Sequence, residues 1–269
     1  MKLFFIGSGQ MATAIAGGLV KTETFQIGDL GAFDPSLAAC ENFQRVTGIK
    51  NVVAQDPAEY IHLSEAILLA VKPQMIEKAL AGIKEHVQNK LLISIAAGVP
   101  VARLQELSGC SRIIRVMPNT PALVGQGASG YYVSSGCSKE DAEFAEKILN
   151  ATGVAAKVND ENLLDAVTAL SGSGPAYVFE CIQALADGGV AEGLPRDLSI
   201  KLAVQTVLGA AEMVKQTQEH PAVLKDKVTS PGGTTARALE LMATEGVAGT
   251  IIRAVRAAAD RSRELGGKK

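Results

Sequence analysis

A short apolar run that opens directly into a glycine-rich turn begins this chain and restricts its fold more than any other segment. Residues 3–6 are apolar, residues 7–12 read G-S-G-Q-M-A, and residues 13–20 have the small residues typical of a helix packed on a sheet. In such a unit the first glycine makes the turn, the second lets a pyrophosphate approach the backbone, and the small third residue lets helix and strand pack closely. The pattern predicts a dinucleotide-binding unit.

Further apolar runs alternate with helical stretches up to about residue 157. Strands are predicted at residues 31–33, 52–53, 66–71, 91–96, 113–117 and 130–133. This alternation predicts a mostly parallel sheet covered by helices, in which ligands lie at the carboxyl ends of the strands. We therefore expect three turns to surround a cofactor: residues 72–73, 97–100 and 118–121.

From Asn159 onward the pattern becomes helical. The sequence thus predicts an α/β protein with an N-terminal Rossmann-type dinucleotide-binding domain, residues 1–157, followed by an all-α helical domain, residues 158–269. Between Leu198 and Val214 only Lys201 and Glu212 are charged, so this helix has to be buried on nearly all sides. A subunit interface would bury it, and so would the core of a compact bundle.

Composition excludes several classes of protein. The chain has 269 residues, 47% of them hydrophobic, which is enough for a sizeable core. A net charge of −2 without a long basic run argues against nucleic acid as the main partner. No apolar stretch approaches the ~20 residues that span a bilayer, and the apolar start is too short for a signal peptide. We expect a cytoplasmic protein.

Cysteine and histidine give no sign of a metal site. The four cysteines show no C-x-x-C pairing, and the three histidines lack metal-ligand spacing. We expect reduced, structural cysteines and no protein-bound metal.

A second glycine-rich turn, residues 228–235 (V-T-S-P-G-G-T-T), precedes a helix predicted over residues 236–244. Pro231 fixes its own φ, and the two glycines allow backbone geometry closed to other residues. The following helix presents unpaired N–H groups and a positive dipole end, which suit an anion. Ordinary helix capping by Ser or Thr is the alternative interpretation.

Together these segments resemble the pyrroline-5-carboxylate reductase family over essentially the whole chain. The matching segments are residues 7–12, 70–73 (A-V-K-P), 94–98 (S-I-A-A-G), 115–121 (R-V-M-P-N-T-P), 171–177 (S-G-S-G-P-A-Y) and 230–235 after Lys225-Asp226. The last two are more specific than the glycine fingerprint. The resemblance implies reduction of 1-pyrroline-5-carboxylate to L-proline by a nicotinamide cofactor. It also implies a homodimer with interlocked helical domains, sometimes assembled further into a decamer.

Reduction of a cyclic imine needs a hydride donor, a pocket for the ring and an anchor for the carboxylate. A protonated imine is already a strong electrophile, so positioning supplies much of the rate and no obvious acid is required. We expect the N–H groups of Gly233 and Thr234 and the Ser230 hydroxyl to hold the carboxylate, and the resemblance implies that Thr235 bonds the ring nitrogen. The predicted substrate residues are Ser230, Gly232, Gly233, Thr234 and Thr235, with Thr235 as the catalytic residue.

The cofactor residues follow from the first turn and from the strand ends. They are predicted to be Gly7, Gly9, Gln10, Met11, Asp34, Ser36, Ala70, Lys72 and Asn119. An acidic residue at position 34 normally accepts bonds from ribose hydroxyls and disfavours a 2′-phosphate, which favours NADH. The resemblance favours NADPH, for which Ser36 and the helix that begins there offer a phosphate site.

Two other functions stay open at this stage. A β-hydroxyacid dehydrogenase has the same two-domain plan but needs a lysine base on the first long helix of its second domain, and residues 162–189 contain no lysine. A non-catalytic dinucleotide-binding regulator would need only the first turn.

Overall fold

The structure is a computed structural model, and it describes residues 1–267. The strands are β1 (Leu3–Ile6), β2 (Leu30–Phe33), β3 (Asn51–Val53), β4 (Ala66–Leu69), β5 (Leu91–Ser94), β6 (Ile113–Met117), β7 (Gly127–Val133) and β8 (Gly153–Val158). The helices of the sheet-containing part are α1 (Gln10–Lys21), α2 (Leu37–Thr47), α3 (Ala58–Leu63), α4 (Ile76–Ala81), α5 (Lys84–Val87), α6 (Val101–Ser108), α7 (Lys139–Asn150) and α8 (Leu163–Val167). A single π turn, Thr168–Gly172, follows α8. The remaining helices are α9 (Gly174–Ala191), α10 (Arg196–Thr217), α11 (Pro221–Lys227), α12 (Thr234–Thr244) and α13 (Val247–Leu265).

The eight strands form one sheet in the order β3-β2-β1-β4-β5-β6-β7-β8. All neighbours are parallel except β6 and β7, which pair antiparallel. The predicted α/β fold with a Rossmann-type sheet and a helical C-terminal part is confirmed. Strand β8 was not predicted, because it is a half-exposed edge strand whose G-V-A-A-K-V sequence lacks the continuous apolar run of the central strands.

The central strands are covered on both faces. Every residue of β1, β4 and β5 is buried, and two apolar clusters lie on opposite faces of the sheet. Burial on both faces explains why these strands appear in the sequence as uninterrupted apolar runs. It also fixes their carboxyl ends side by side, where a ligand of such a sheet is expected.

The described residues form two compact units. The first comprises Met1–Ser173 and the described residues from Ala257 onward, and the second comprises Gly174–Arg256. The division at residue 157 stays a prediction, and the first unit continues past it through α8 and the π turn. Within the first unit, Ser262 Oγ donates to Asp165 Oδ1 at 2.7 Å and joins the C-terminal helix to α8.

The second unit is helical, and its two long helices approach each other closely. Ser199 Oγ on α10 donates to the Ala186 carbonyl on α9 at 2.6 Å. A Cβ at Gly189 would lie 2.2 Å from Ser199 Oγ, so a glycine is needed at this crossing. Helix α9 packs against only one side of α10, where Ser199 and Ala203 are buried.

Most apolar residues of α10 remain exposed within the chain. The two fully buried residues are Ser199 and Ala203, whereas Leu208 is 57% exposed and Met213 is 49% exposed. The alternative that α10 forms the core of a self-contained bundle is therefore wrong. Burial of this helix requires another surface.

An ion pair and a capping box fix helix α7 to the sheet. Ser138 and Asp141 exchange hydrogen bonds at the helix start, with Ser138 N donating to Asp141 Oδ2 at 3.0 Å. Arg112 Nε donates to the same oxygen at 2.9 Å. These hydrogen bonds, led by that of Arg112, lower the pKa of the Asp141 carboxyl.

We expect Asp141→Asn to lower the free energy of unfolding by about 1–3 kcal/mol at neutral pH, because the variant loses a charge-assisted bond and part of the cap. A lowered folded-state pKa makes this contribution complete above the unfolded pKa of about 4 and removes it as the pH falls further. Urea unfolding of both proteins at pH values from neutral to acidic checks this. A difference that does not shrink in acid would contradict the assignment.

Candidate cofactor and substrate sites

The glycine-rich turn between β1 and α1 is built by Gly7. Its φ is +98°, and a Cβ there would lie 2.7 Å from the Ala70 carbonyl oxygen at the end of β4. Gly7 N also donates to the Phe33 carbonyl at 2.7 Å, so the turn is tied to β2. A side chain at this position would force apart the strands that form the site.

Gly9 lies at the N-cap of α1, with φ −68° and ψ −174°, and no side chain caps this helix. A Cβ at Gly9 would meet nothing within 4 Å, so the surrounding protein does not require a glycine there. The N–H groups of Gln10 and Met11 belong to the first helical turn and have no intrahelical acceptor. The open space beside these donors fits a pyrophosphate, and a side chain at Gly9 would fill that space.

Asp34 connects the glycine turn to the start of α2. Its Oδ2 accepts a hydrogen bond from Ser8 N at 2.9 Å, and its Oδ1 accepts one from Ser36 N at 2.9 Å. Ser36 Oγ in turn accepts from Ala39 N at 3.3 Å and caps α2. Both carboxylate oxygens of Asp34 therefore already accept a backbone hydrogen bond, and the predicted bond from a ribose hydroxyl would be an additional one on the same oxygens.

A cavity of about 480 Å³ opens beside Asp34 and is lined by Gly7, Gly9, Ala70 and Lys72. Lys78 on α4 also lines this cavity, and it is not among the predicted cofactor residues. No local motif marks this lysine. Only the packing of α4 beside the carboxyl end of β4 brings a second cation to the cavity.

A smaller cavity of about 240 Å³ joins the three turns that were expected to surround the cofactor. It is lined by Met11, Ala70, Val71, Lys72, Ile95, Ala97, Met117 and Pro118. The structure thus brings the predicted residues Met11, Ala70 and Lys72 to one edge of the sheet.

Asn119 is 7% exposed, and its amide is engaged at both ends. Its Nδ2 donates to the Ser171 carbonyl at 2.9 Å, and its Oδ1 accepts from Ala128 N at 2.8 Å. A direct cofactor contact would be left with one Nδ2 hydrogen and one Oδ1 lone pair.

A half-buried ion pair, which the sequence analysis also missed, secures the turn at residues 97–100. Arg115 Nη1 on β6 donates to Glu161 Oε1 at 2.8 Å, and the same oxygen accepts from Val101 N at 2.8 Å. Glu161 therefore caps the first helical residue after this turn. The sequence separation of 46 residues between Arg115 and Glu161 hides the pair from local patterns.

The predicted substrate turn lies in the second unit. Gly233 N donates to the Ser230 carbonyl at 3.0 Å, which closes a four-residue turn, and Gly232 occupies the left-handed region with φ +67°. A central Pro231 followed by a left-handed glycine is typical of a type II turn. Gly233 N–H is thus already engaged within the turn, and its predicted bond to the carboxylate stays a prediction.

Helix α12 begins immediately after the turn, at Thr234, two residues earlier than predicted. Gly233 is its N-cap and provides no side-chain cap. The N–H groups of Thr234, Thr235 and Ala236 therefore have no intrahelical acceptor. The first two N–H groups without an intrahelical acceptor are those of Thr234 and Thr235, one residue further along the chain than the predicted pair, Gly233 and Thr234.

Within residues 1–267, no group of three or more His, Cys, Asp or Glu side chains is arranged to hold a metal ion. In the same part of the chain, none of the helices combines the length and apolar character needed to cross a bilayer.

The fold and the glycine-turn site define a two-part, dinucleotide-binding oxidoreductase. Residues 2–98 match the family profile "NADP oxidoreductase coenzyme F420-dependent", and residues 161–265 match "Pyrroline-5-carboxylate reductase dimerisation". A pyrroline-5-carboxylate reductase of Arabidopsis thaliana is 46% identical over 98% of this chain and 95% of its own length. The enzyme of that name from Synechocystis is 45% identical over 100% of this chain and 99% of its own. The chain belongs to the pyrroline-5-carboxylate reductase family.

Solved structures agree with this assignment. A pyrroline-5-carboxylate reductase from Coxiella burnetii superposes with a TM-score of 0.93 at 34% identity and covers 100% of this chain and 98% of its own. The Plasmodium falciparum pyrroline carboxylate reductase, determined with NADP bound, has a TM-score of 0.85 at 35% identity and covers 99% of this chain and 98% of its own.

Proposed function

We propose that this chain reduces 1-pyrroline-5-carboxylate to L-proline, the last step of proline biosynthesis. The observation that carries the proposal is the uncapped N-terminus of α12 behind a rigid turn, in a chain that also builds a dinucleotide cradle at Gly9. The first feature suits a carboxylate, and the second suits the pyrophosphate of a nicotinamide cofactor. A bound NADPH would supply the hydride.

The cofactor cradle is assigned to the first turn of α1. Gly9 leaves room for the pyrophosphate, and the backbone N–H groups of Gln10 and Met11 donate to it, while Gly7 holds the turn in shape. Ala70 lies at the edge of both cavities, and Lys72 contributes a positive charge there. For the adenosine 2′-phosphate we assign Ser36 together with the N-terminus of α2.

The substrate carboxylate is assigned to the turn before α12. The N–H groups of Thr234 and Thr235 and the Ser230 hydroxyl donate to it, and Gly232 and Gly233 give the turn its geometry. Thr235 is half-buried, and its hydroxyl is assigned to the ring nitrogen, which it orients for hydride addition. Since a protonated imine already accepts hydride, the protein acts mainly by orientation.

Assembly and location extend the proposal. The exposed apolar side chains of the second unit, among them Phe179 at 64% and Leu241 at 63%, support a homodimer formed through this unit. Further assembly into a decamer is proposed from the family resemblance, and the cytoplasmic location expected from the sequence is kept as a proposal.

The decisive assay incubates the purified protein with pyrroline-5-carboxylate and either NADPH or NADH, and follows the loss of reduced nicotinamide absorbance. Consumption that depends on the imine supports the proposal. A protein that binds NADPH without turnover would be a dinucleotide-binding regulator, and turnover only with β-hydroxyacids and oxidised cofactor would indicate a dehydrogenase.

We expect Thr235→Ala to lower kcat by about fivefold, because it removes one hydrogen bond worth on the order of 1 kcal/mol and no essential acid. The matched control is Thr244→Ala, since Thr244 Oγ1 bonds to the Glu240 carbonyl at the far end of the same helix. Steady-state kinetics of both variants decide the role. Complete loss of activity in a folded Thr235→Ala protein would show that the hydroxyl is chemically essential.

Asp34 and Lys78 are expected to have opposite effects on cofactor preference. Asp34→Asn removes the negative charge but retains one acceptor, so kcat/KM for NADPH should rise about tenfold relative to NADH. Lys78→Gln should lower the same ratio, because it removes a cation from the cavity that Asp34 lines.

Measuring kcat/KM with both cofactors for the wild type and the two variants checks this prediction. If Asp34→Asn raises KM for both cofactors equally, the carboxylate only braces the turn through Ser8 and Ser36. An unchanged ratio in Lys78→Gln would place the 2′-phosphate away from α4.

A further inference from the structure

Asn119 links three segments that are distant in sequence. It follows β6, and its amide bonds to the Ser171 carbonyl in the π turn and to Ala128 N in β7. The bond to Ser171 joins residues 52 positions apart. Asn119 is only 7% exposed, so it forms a buried hydrogen-bonded link between these segments of the first unit.

The bond from Asn119 reaches a carbonyl that has no donor at the α-helical position. In an α-helix the carbonyl of residue 171 would accept from the N–H of residue 175, and residue 175 is proline, which has none. The chain here forms a π turn instead, in which Ser173 N donates to the Thr168 carbonyl at 2.8 Å. Asn119 Nδ2 supplies the donor that Pro175 cannot.

The π turn lies against the smaller of the two cavities. A Cβ at Gly172 would be 2.6 Å from Met117 Cε, so turn and methionine are in close contact. Met117 lines the 240 Å³ cavity together with Met11 and Ala70. π turns interrupt helices at a cost in regular hydrogen bonding and are frequent at functional sites.

We propose that Asn119 is a positioning residue: by donating to Ser171 in place of Pro175, it holds the π turn against Met117 and thereby sets the shape of the cofactor cavity. This inference rests on the proposed function for its catalytic consequence. It assigns Asn119 a structural role in place of the expected cofactor contact, because one Nδ2 hydrogen and one Oδ1 lone pair are committed to Ser171 and Ala128.

The test is a double-mutant cycle of Asn119→Ala and Pro175→Ala, since alanine at position 175 restores the missing N–H. We expect Asn119→Ala to lower kcat for pyrroline-5-carboxylate at least tenfold while the NADPH dissociation constant, from nicotinamide fluorescence, changes less than about threefold. In the Pro175→Ala background the same substitution should lower kcat by less than about threefold. Asn119→Asp should behave like Asn119→Ala, because it keeps an acceptor for Ala128 N but has no donor for Ser171.

Thermal unfolding provides a readout that does not need activity. Asn119→Ala should lower Tm by about 3 °C when residue 175 is proline and by less when it is alanine. This coupling can be measured even if the wild type does not reduce the imine, so failure of the proposed function is recognised separately.

A tenfold rise in the NADPH dissociation constant in both backgrounds would identify a direct ligand and overturn the proposal. The proposal would also be overturned if Asn119→Ala lowered kcat and Tm equally in both backgrounds. Wild-type activity of the Asn119→Asp variant would overturn it as well.

Discussion

Heterodimers that combine Gly9→Asp in one subunit with Gly233→Val in the other are expected to be active, although neither variant is active as a homodimer. The first variant should fold, because aspartate is a good N-cap and the space at Gly9 is open, but its charge repels a pyrophosphate. The second is expected not to hold the substrate carboxylate, because the branched side chain displaces the turn. If each site combines the cofactor cradle of one subunit with the substrate turn of its partner, one of the two sites receives both intact halves.

This arrangement is the one that the family resemblance implies, and it gives the exposed apolar face of α10 a partner. Co-expression with two different tags and sequential purification isolates the heterodimer, whose activity should be about half that of the wild type per dimer. Each singly tagged homodimer serves as the control. A folded heterodimer without activity would show that the cradle and the turn of one site come from the same chain.

The second large effect is expected for Gly233→Val alone, measured as substrate KM. A Cβ at Gly233 would lie 2.4 Å from Ser230 Oγ and 3.1 Å from the Ser230 carbonyl oxygen, so a branched side chain displaces the turn. Loss of two hydrogen bonds to a charged carboxylate, roughly 1.5–3 kcal/mol each, corresponds to a rise in KM of at least 100-fold.

The matched control is Gly28→Val, since a Cβ at Gly28 meets nothing within 4 Å and Gly28 lies outside both sites. We expect its kinetics to equal those of the wild type, and we expect the NADPH dissociation constant of Gly233→Val to be unchanged. An unchanged imine KM in Gly233→Val would mean that this turn does not bind the substrate.

The parts of the fold that the sequence predicted are those set by local chemistry. Strands β1, β4 and β5 could be predicted because burial on both faces requires an uninterrupted apolar run. Strand β8 could not, since an edge strand with one exposed face carries alanine and lysine and resembles a loop. The π turn between α8 and α9 could not be predicted either, because it differs from an α-helix by a single hydrogen-bond step that composition does not encode.

The candidate site divides in the same way. Gly7 and Gly9 are recognisable because both belong to one local glycine pattern: Gly7 adopts a left-handed φ, and Gly9 leaves open the space that a side chain would fill. The approach of Lys78 to the cavity and the bond of Asn119 to Ser171 could not be predicted, because each joins segments whose proximity is created by the sheet.

By itself, the sequence determined the α/β plan, the glycine turn, the anion-suited turn before α12 and membership of the family, because local backbone and burial requirements leave a direct pattern in the residues. Tertiary structure decided which donors are free. Gly233 N–H is used within its turn, Asp34 braces the glycine turn, and Asn119 completes the π turn. The reason is that each donor and acceptor has few partners, and only the folded chain determines which of them are already taken.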